Sequence, residues 1–203
     1  MVTYLAKIDI NDEATGMHYI SLVENPAVET EWMAFEADKM NVYKVEDNEQ
    51  HIITGVVMRA NFPILKEIPN KGKCYLKYEK ETLKQMALKF FKNGEQNNIT
   101  ITHNHAKLTD KVNIFEMYIK DVERGINPKG FENIEDGSLM ASFKVNDEQL
   151  WSEIKEGKWR GFSLEGAFHF EQETTDEDEI YRLVEKIKSH IINKKNVKMK
   201  IKK

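Results

Sequence analysis

Short runs of β-branched and aromatic residues recur along the chain, and only two segments before the tail carry helical periodicity. That alternation leaves few architectures open. Residues 51–58 (HIITGVVM), 73–78, 99–102, 112–119 and 139–145 read as strands bounded by Gly, Pro, Asn or Asp. Residues 20–27 read as a further short strand that stops at Pro26, because the residue before a proline avoids helix. Residues 42–44 are a minor strand, and residues 61–72, with Pro63, Pro69 and Gly72, read as loop. The rest of the first forty-odd residues reads as irregular, with Trp32, Met33 and Phe35 available to pack on a body formed later. Leu83, Met86, Ala87, Phe90 and Phe91 share one face of a first helix, which Asn93-Gly94 ends. Asn146 as N-cap, with Gln149 three residues on, starts a second helix. Leu150, Trp151 and Ile154 form its apolar stripe, and Gly157 stops it. Many strands with two helices between them predict a mixed α+β domain with a closed or nearly closed sheet.

Composition narrows the partners. The chain has 203 residues, 40% hydrophobic and 32% charged, which suits one compact domain with appendages. A formal net charge of −4 gives no basic bias toward nucleic acid. One cysteine, Cys74, excludes an internal disulfide framework and fits a reducing compartment. The N-terminus lacks the basic-then-apolar pattern of a signal peptide, and no apolar run approaches a membrane span, so a soluble intracellular protein is expected. The tail changes character. Residues 171–179 are an acidic linker, and Ile180, Leu183, Val184, Ile187 and Ile191 mark an amphipathic helix. Residues 193–203 hold six lysines and no acid, the pattern of a solvated, mobile end. Residues 1–172 therefore form the expected domain, and 173–203 an appendage.

The stretch with most chemical content is Arg160-Gly161-Phe162-Ser163-Leu164-Glu165-Gly166. Glycines frame a serine among large apolar residues, and strand propensity resumes at Ala167. Serines beside glycine most often lie in plain turns. The sharper reading makes Ser163 a nucleophile, which needs a base within hydrogen-bond reach and donors for an oxyanion. Of the six histidines, only His103 and His105 follow a strand and sit in a polar exit, where catalytic side chains tend to be held. On an extended chain both would point to one face. They could equally be one exposed and one structural histidine, or a His-x-His zinc pair, although no H-E-x-x-H or cysteine pair supplies further ligands. Acids that could orient a base are Glu116, Asp121, Glu123 and, on the serine's own strand face, Glu165. Cys74, Trp151 and Trp159 read as packing residues.

Residues 150–166 (LWSEIKEGKWRGFSLEG) resemble the "LW..I..G...GFSIEG" signature of the XkdF-like phage serine proteases. Residues 20–27 (SLVENPA at 21–27) resemble that family's "SLVxNPA" element, and Gly55-Val56-Val57-Met58 its "GVVM" strand. Thr102-His103 is similar to its histidine after a strand, and Asp136-Gly137-Ser138 to its turn before a strand. The resemblance covers roughly residues 1–172 and not the tail. It implies a prohead, or capsid-maturation, serine protease with a mostly antiparallel β-barrel flanked by helices, similar to the herpesvirus assembly proteases. It implies Ser163 as nucleophile, and His103 in preference to His105 as base. Glu116 is the choice for third member, and Gly161, Glu165 and Arg160 support the oxyanion site. The implied substrates are phage scaffold and major capsid proteins, cut inside the prohead in the host cytoplasm. A homodimer or higher oligomer is possible on this resemblance, and no cofactor, metal, nucleic acid or membrane is implied.

Overall fold

The structure is a computed structural model that describes residues 1–24, 43–47, 50–108 and 110–174, together with helical positions 180, 183, 184, 187 and 188. The chain divides into two compact units, Met1–Glu171 and Gln172–Lys203. In the first, the strands are β1 (Thr3–Lys7), β2 (Gly16–Val23), β3 (Tyr43–Asp47), β4 (Ile52–Met58), β5 (Ile64–Ile68), β6 (Gly72–Tyr78), β7 (Ile99–Ile101), β8 (Val112–Ile119), β9 (Leu139–Val145), β10 (Gly161–Ala167) and β11 (His169–Gln172). The helices are α1 (Lys80–Lys92) and α2 (Glu148–Lys155). The strands form three sheets, in orders β11-β1-β6-β5, β10-β2-β7 and β3-β4-β9-β8.

The protein is thus mixed α+β. Most pairings are antiparallel, but β1–β6 and β2–β7 are parallel. No pairing among the described residues closes a sheet on itself. The three sheets instead share one core. Ala6, Ile64 and Leu76 come from the first, Ile20, Leu22 and Phe162 from the second, and Ile53, Leu139 and Phe143 from the third. Leu83, Met86 and Phe90 of α1, and Leu150, Trp151 and Ile154 of α2, pack on the same cluster. Strands β4 and β9 are buried along nearly their whole length, which explains their continuous apolar runs. Cys74, Trp151 and Trp159 are buried packing residues.

Three segments differ from the sequence expectation. The N-terminal region is not irregular, because it carries β1 and β2. Residues 61–72 are not simply loop. Their prolines fall just outside β5, whose Ile64 and Ile68 face the core while β6 pairs alongside. The cap of α2 is Asp147, whose Oδ1 accepts from Leu150 N at 2.8 Å. Asn146 instead uses its amide to tie Asp110 O at 3.0 Å and Asn113 Oδ1 at 2.7 Å. Trp32, Met33 and Phe35 lie outside the described residues, as do His190, Ile191 and the lysine block. In the second unit, Ile180, Leu183, Val184 and Ile187 are exposed helical positions.

Two buried lysines organise loops by donating to carbonyls. Lys89, 3% exposed, donates to Asp9 O at 2.9 Å, to Asp12 O at 2.6 Å and to Thr15 O, so α1 pins the turn that enters β2. Lys120, 2% exposed, reaches Phe131 O at 3.0 Å, Glu132 O at 3.1 Å and Ile134 O at 2.5 Å. Removing the ammonium would leave the buried Phe131 carbonyl, and the part-buried pair beside it, without this donor. Lys120→Met should therefore destabilise the fold by about 2–3 kcal/mol, read as a lowered midpoint in urea. An unchanged midpoint would show that the 131–134 loop finds other donors.

Candidate active site

The central sheet positions the chemistry by register. In the antiparallel β10–β2 pair, Ser163 lies opposite Ser21 and Glu165 opposite Tyr19. In the parallel β2–β7 pair, Thr100 lies beside Ser21. Alternation along a strand then puts Tyr19, Ser21, Ser163 and Glu165 on one face, while Ile20, Leu22 and Phe162 enter the core on the other. One row of three hydroxyl residues, Thr100, Ser21 and Ser163, crosses the sheet.

Glu165 is where the two histidines meet. His103 Nδ1 lies 2.7 Å from Glu165 Oε1, and His105 Nε2 lies 2.9 Å from Glu165 Oε2. The His105 ring also stacks on Tyr19, with centroids 4.9 Å apart and planes 10° apart. An ionised carboxylate only accepts hydrogen bonds, so each facing ring nitrogen carries its proton. Neutral His103 is then the Nδ1–H tautomer, and its Nε2 lone pair is the one a general base uses. This assignment follows from the hydrogen-bond network. Partial burial alone would raise the Glu165 pKa. The hydrogen bonds from His105 and His103, and their charges when protonated, outweigh it and hold the carboxyl below its ordinary range.

The loop carrying the histidines is held in unusual torsions. Thr102, His103 and His105 have φ of 50°, 58° and 57°, so residues 102–105 do not run extended as the sequence suggested. Each left-handed non-glycine residue is disfavoured by about 1–2 kcal/mol. Anchors on both sides maintain the conformation. Thr102 N donates to Leu22 O at 3.0 Å, Ala106 N to Asn104 Oδ1 at 3.0 Å, and Leu108 N to Ile99 O at 2.8 Å. The turn brings both rings onto Glu165, where an extended strand would have carried them outward.

Ser163 is 7% exposed and lines a small recess with Val57, Met58, Lys66, Tyr78, Phe162 and Leu164. Among the described residues its hydroxyl makes no hydrogen bond. Gly166 explains the second glycine of the motif. A Cβ there would lie 1.9 Å from the Gly16 carbonyl oxygen, at the bulge between Glu165 and Gly166. Backbone cannot yield as a flexible side chain can, so Gly166→Ala should slip the β10–β2 register beside Glu165 and destabilise by about 3 kcal/mol. A thermal melt indistinguishable from that of the unaltered protein would contradict this.

The other sequence candidates are dispersed. Glu116 does not join the histidines. It is exposed on β8, and its Oε2 accepts from Ser142 Oγ at 2.7 Å on the neighbouring strand of a different sheet. Arg160 is exposed, its Nε donates to Gly157 O at 3.2 Å, and its amide is taken by Val23 O at 2.9 Å. That amide therefore cannot also serve an oxyanion. Gly161 is buried opposite Val23. Asp121 holds the 121–126 turn, and His18 is occupied by Glu95 at 2.7 Å. Ser21, Thr100 and Tyr19 were not singled out from sequence. The available signal was a strand whose polar residues alternate with Ile20 and Leu22. No group of three His, Cys, Asp or Glu side chains among the described residues is arranged to hold a metal ion. The Glu165 oxygens sit at hydrogen-bond distance from the ring nitrogens, closer than the roughly 3.3 Å that separates ligands around tetrahedral zinc.

Ser163 thus shares a strand face with Glu165, the carboxylate that holds both histidines, which are the residue types a serine hydrolase uses. Residues 38–172 match the family model described as "Putative phage serine protease XkdF", and the chain belongs to this family. The match ends at the last residue of β11 and starts downstream of the 20–27 element. No curated protein and no solved structure matches the chain.

Proposed function

We propose that this protein is a serine endopeptidase of phage head maturation, which cuts scaffold and capsid proteins inside the prohead. The observation that carries the reading is the Glu165–His103 pair at 2.7 Å on the strand face that also bears Ser163. In this mechanism His103 Nε2 takes the Ser163 hydroxyl proton as Oγ attacks the scissile carbonyl carbon. Glu165 stabilises the resulting imidazolium through Nδ1–H. The proton then passes to the leaving amine, the C–N bond breaks, and an acyl-serine remains. Water, deprotonated by the same nitrogen, attacks the acyl carbon, releases the acid product and restores Ser163. In this reading the three sheets around one core are the counterpart of the barrel in the herpesvirus assembly proteases.

Glu165 takes the third position here in place of Glu116. His105, held on the far carboxylate oxygen and stacked on Tyr19, is a second claimant to the base. Single substitutions decide between them during co-expression with the cognate scaffold. His103→Ala should abolish the shortened products, and His105→Ala should leave them. Equal processing by both variants would remove the assignment. A second reading is a non-catalytic assembly protein on a protease fold, favoured by the exposed apolar positions Ile180, Leu183, Val184 and Ile187 of the tail. In the same experiment it predicts an intact complex with scaffold and no shortened product.

A further inference from the structure

We propose that Ser21, backed by Thr100, is the positioning residue that fixes the tautomer and orientation of the His103–Glu165 pair. The inference rests on the serine-protease reading and adds a third strand to the machinery. Ser21 and Thr100 are both fully buried, at 0% exposure. Their hydroxyl oxygens lie 2.6 Å apart. Ser21 Oγ is also 3.2 Å from Glu165 Oε1 and 3.2 Å from His103 Nδ1. A lone serine hydroxyl thus touches the acid, the base and a second hydroxyl, away from solvent.

The protons around Ser21 can be placed in one way that satisfies every group. Ser21 has a single hydrogen and three neighbours that could accept it. Given to His103 Nδ1, it would leave that nitrogen's lone pair facing Glu165 Oε1 across 2.7 Å. Given to Thr100, it would leave Ser21 Oγ and the carboxylate as two acceptors in contact. The hydrogen therefore goes to Glu165, and Thr100 donates to Ser21. Glu165 Oε1 then receives Ser21 O–H and His103 Nδ1–H together, and His103 Nε2 is bare on its outer side.

The arrangement matters because Glu165 has a rival partner. His105, with its side chain 60% exposed, holds Oε2. Without the Ser21 donor the carboxylate is free to swing onto His105 with both oxygens, and Nδ1 of His103 loses its fixed acceptor. The base then samples the tautomer that buries its lone pair toward Glu165. At metal centres, losing the hydrogen-bond partner that orients a ligating histidine costs about 10–100-fold, and a fall in kcat of that order is expected here. Because Ser21 touches no substrate atom on this reading, KM should stay within about twofold.

The test compares Ser21→Ala, the shape-conserving Thr100→Val and the hydroxyl-retaining Thr100→Ser. Side-chain ¹⁵N NMR of His103 reports the tautomer without any need for cleavage, and kcat and KM are measured on a scaffold-derived peptide. The proposal expects a pure Nδ1–H form in the unaltered protein. It expects mixed tautomers in Ser21→Ala and Thr100→Val, with kcat down 10–100-fold, and recovery of both readouts in Thr100→Ser. Folded Ser21→Ala or Thr100→Val protein that keeps the pure tautomer would overturn it. If Ser21→Ala fails to fold, Thr100→Val decides alone. Absence of any Ser163-dependent cleavage would instead sink the enzymatic reading, and the NMR result would still stand or fall on Ser21.

Discussion

Ser163→Ala should reduce cleavage of the cognate scaffold by about 10⁴-fold or more while leaving the fold intact. Loss of a nucleophile removes the covalent path altogether, and only binding and electrostatic stabilisation remain. Ser163 is 7% exposed, and among the described residues no side chain depends on its hydroxyl, so replacing that hydroxyl by hydrogen strands none of them. Stability should change by less than about 1 kcal/mol. The two readouts separate cleanly. Mass spectra of scaffold co-expressed with the variant should show full-length chains only, and its urea midpoint should match that of the unaltered protein. Undiminished processing would remove Ser163 from the mechanism, whatever the geometry around it.

Glu165→Gln is expected to have the second-largest effect, a fall in kcat of about 10³–10⁴ with the site's shape retained. An amide can offer its NH₂ to His103 Nδ1, which then becomes the acceptor, and the proton moves to Nε2. The ring would face the serine with a hydrogen where a lone pair is needed. The same substitution removes a pH-dependent contribution to stability. The Glu165 carboxyl is held below its ordinary range, because the histidine hydrogen bonds and charges outweigh the opposing effect of burial. Its stabilising contribution is therefore full above the unfolded carboxylate pKa of about 4.3 and is lost as pH falls through the lower folded value. Urea midpoints of the two proteins should differ at neutral pH and converge in acid. Midpoints that differ by the same amount at both would show that the carboxylate is not paired as described.

The parts of this fold legible in the sequence were those with strong local signals. The apolar runs of β4 and β9, the stripe of α1 and the Asn93-Gly94 stop each identify an element without tertiary help. β5 was hidden because its prolines flank the strand while loops and strand edges share that vocabulary. β1 was hidden because Ala6 is its one buried position. Asp147 and Asn146 are both good caps, and the choice fell to long-range bonds from Asn146 to the 110–113 segment. At the site, Ser163, His103, His105 and Glu165 could each be named from local context. Their roles could not, because Glu165 meets His103 only through the β10–β2–β7 registers and the left-handed turn at 102–105. Glu116 follows the histidine loop in sequence, but β8 pairs into another sheet, where its carboxylate accepts from Ser142. Ser21 and Thr100 looked like ordinary strand residues until the register set them side by side.

The most direct test of the central claim is chemical labelling of the purified protein with a serine-reactive fluorophosphonate, followed by peptide mass spectrometry. The reagent phosphonylates a serine oxygen only where a base has made it nucleophilic, so it reads activation without knowledge of the substrate. A single adduct on the peptide containing Ser163, absent from the His103→Ala variant, is the predicted result. An unlabelled Ser163 in folded protein, or labelling that persists without His103, would contradict a Ser163–His103 catalytic pair.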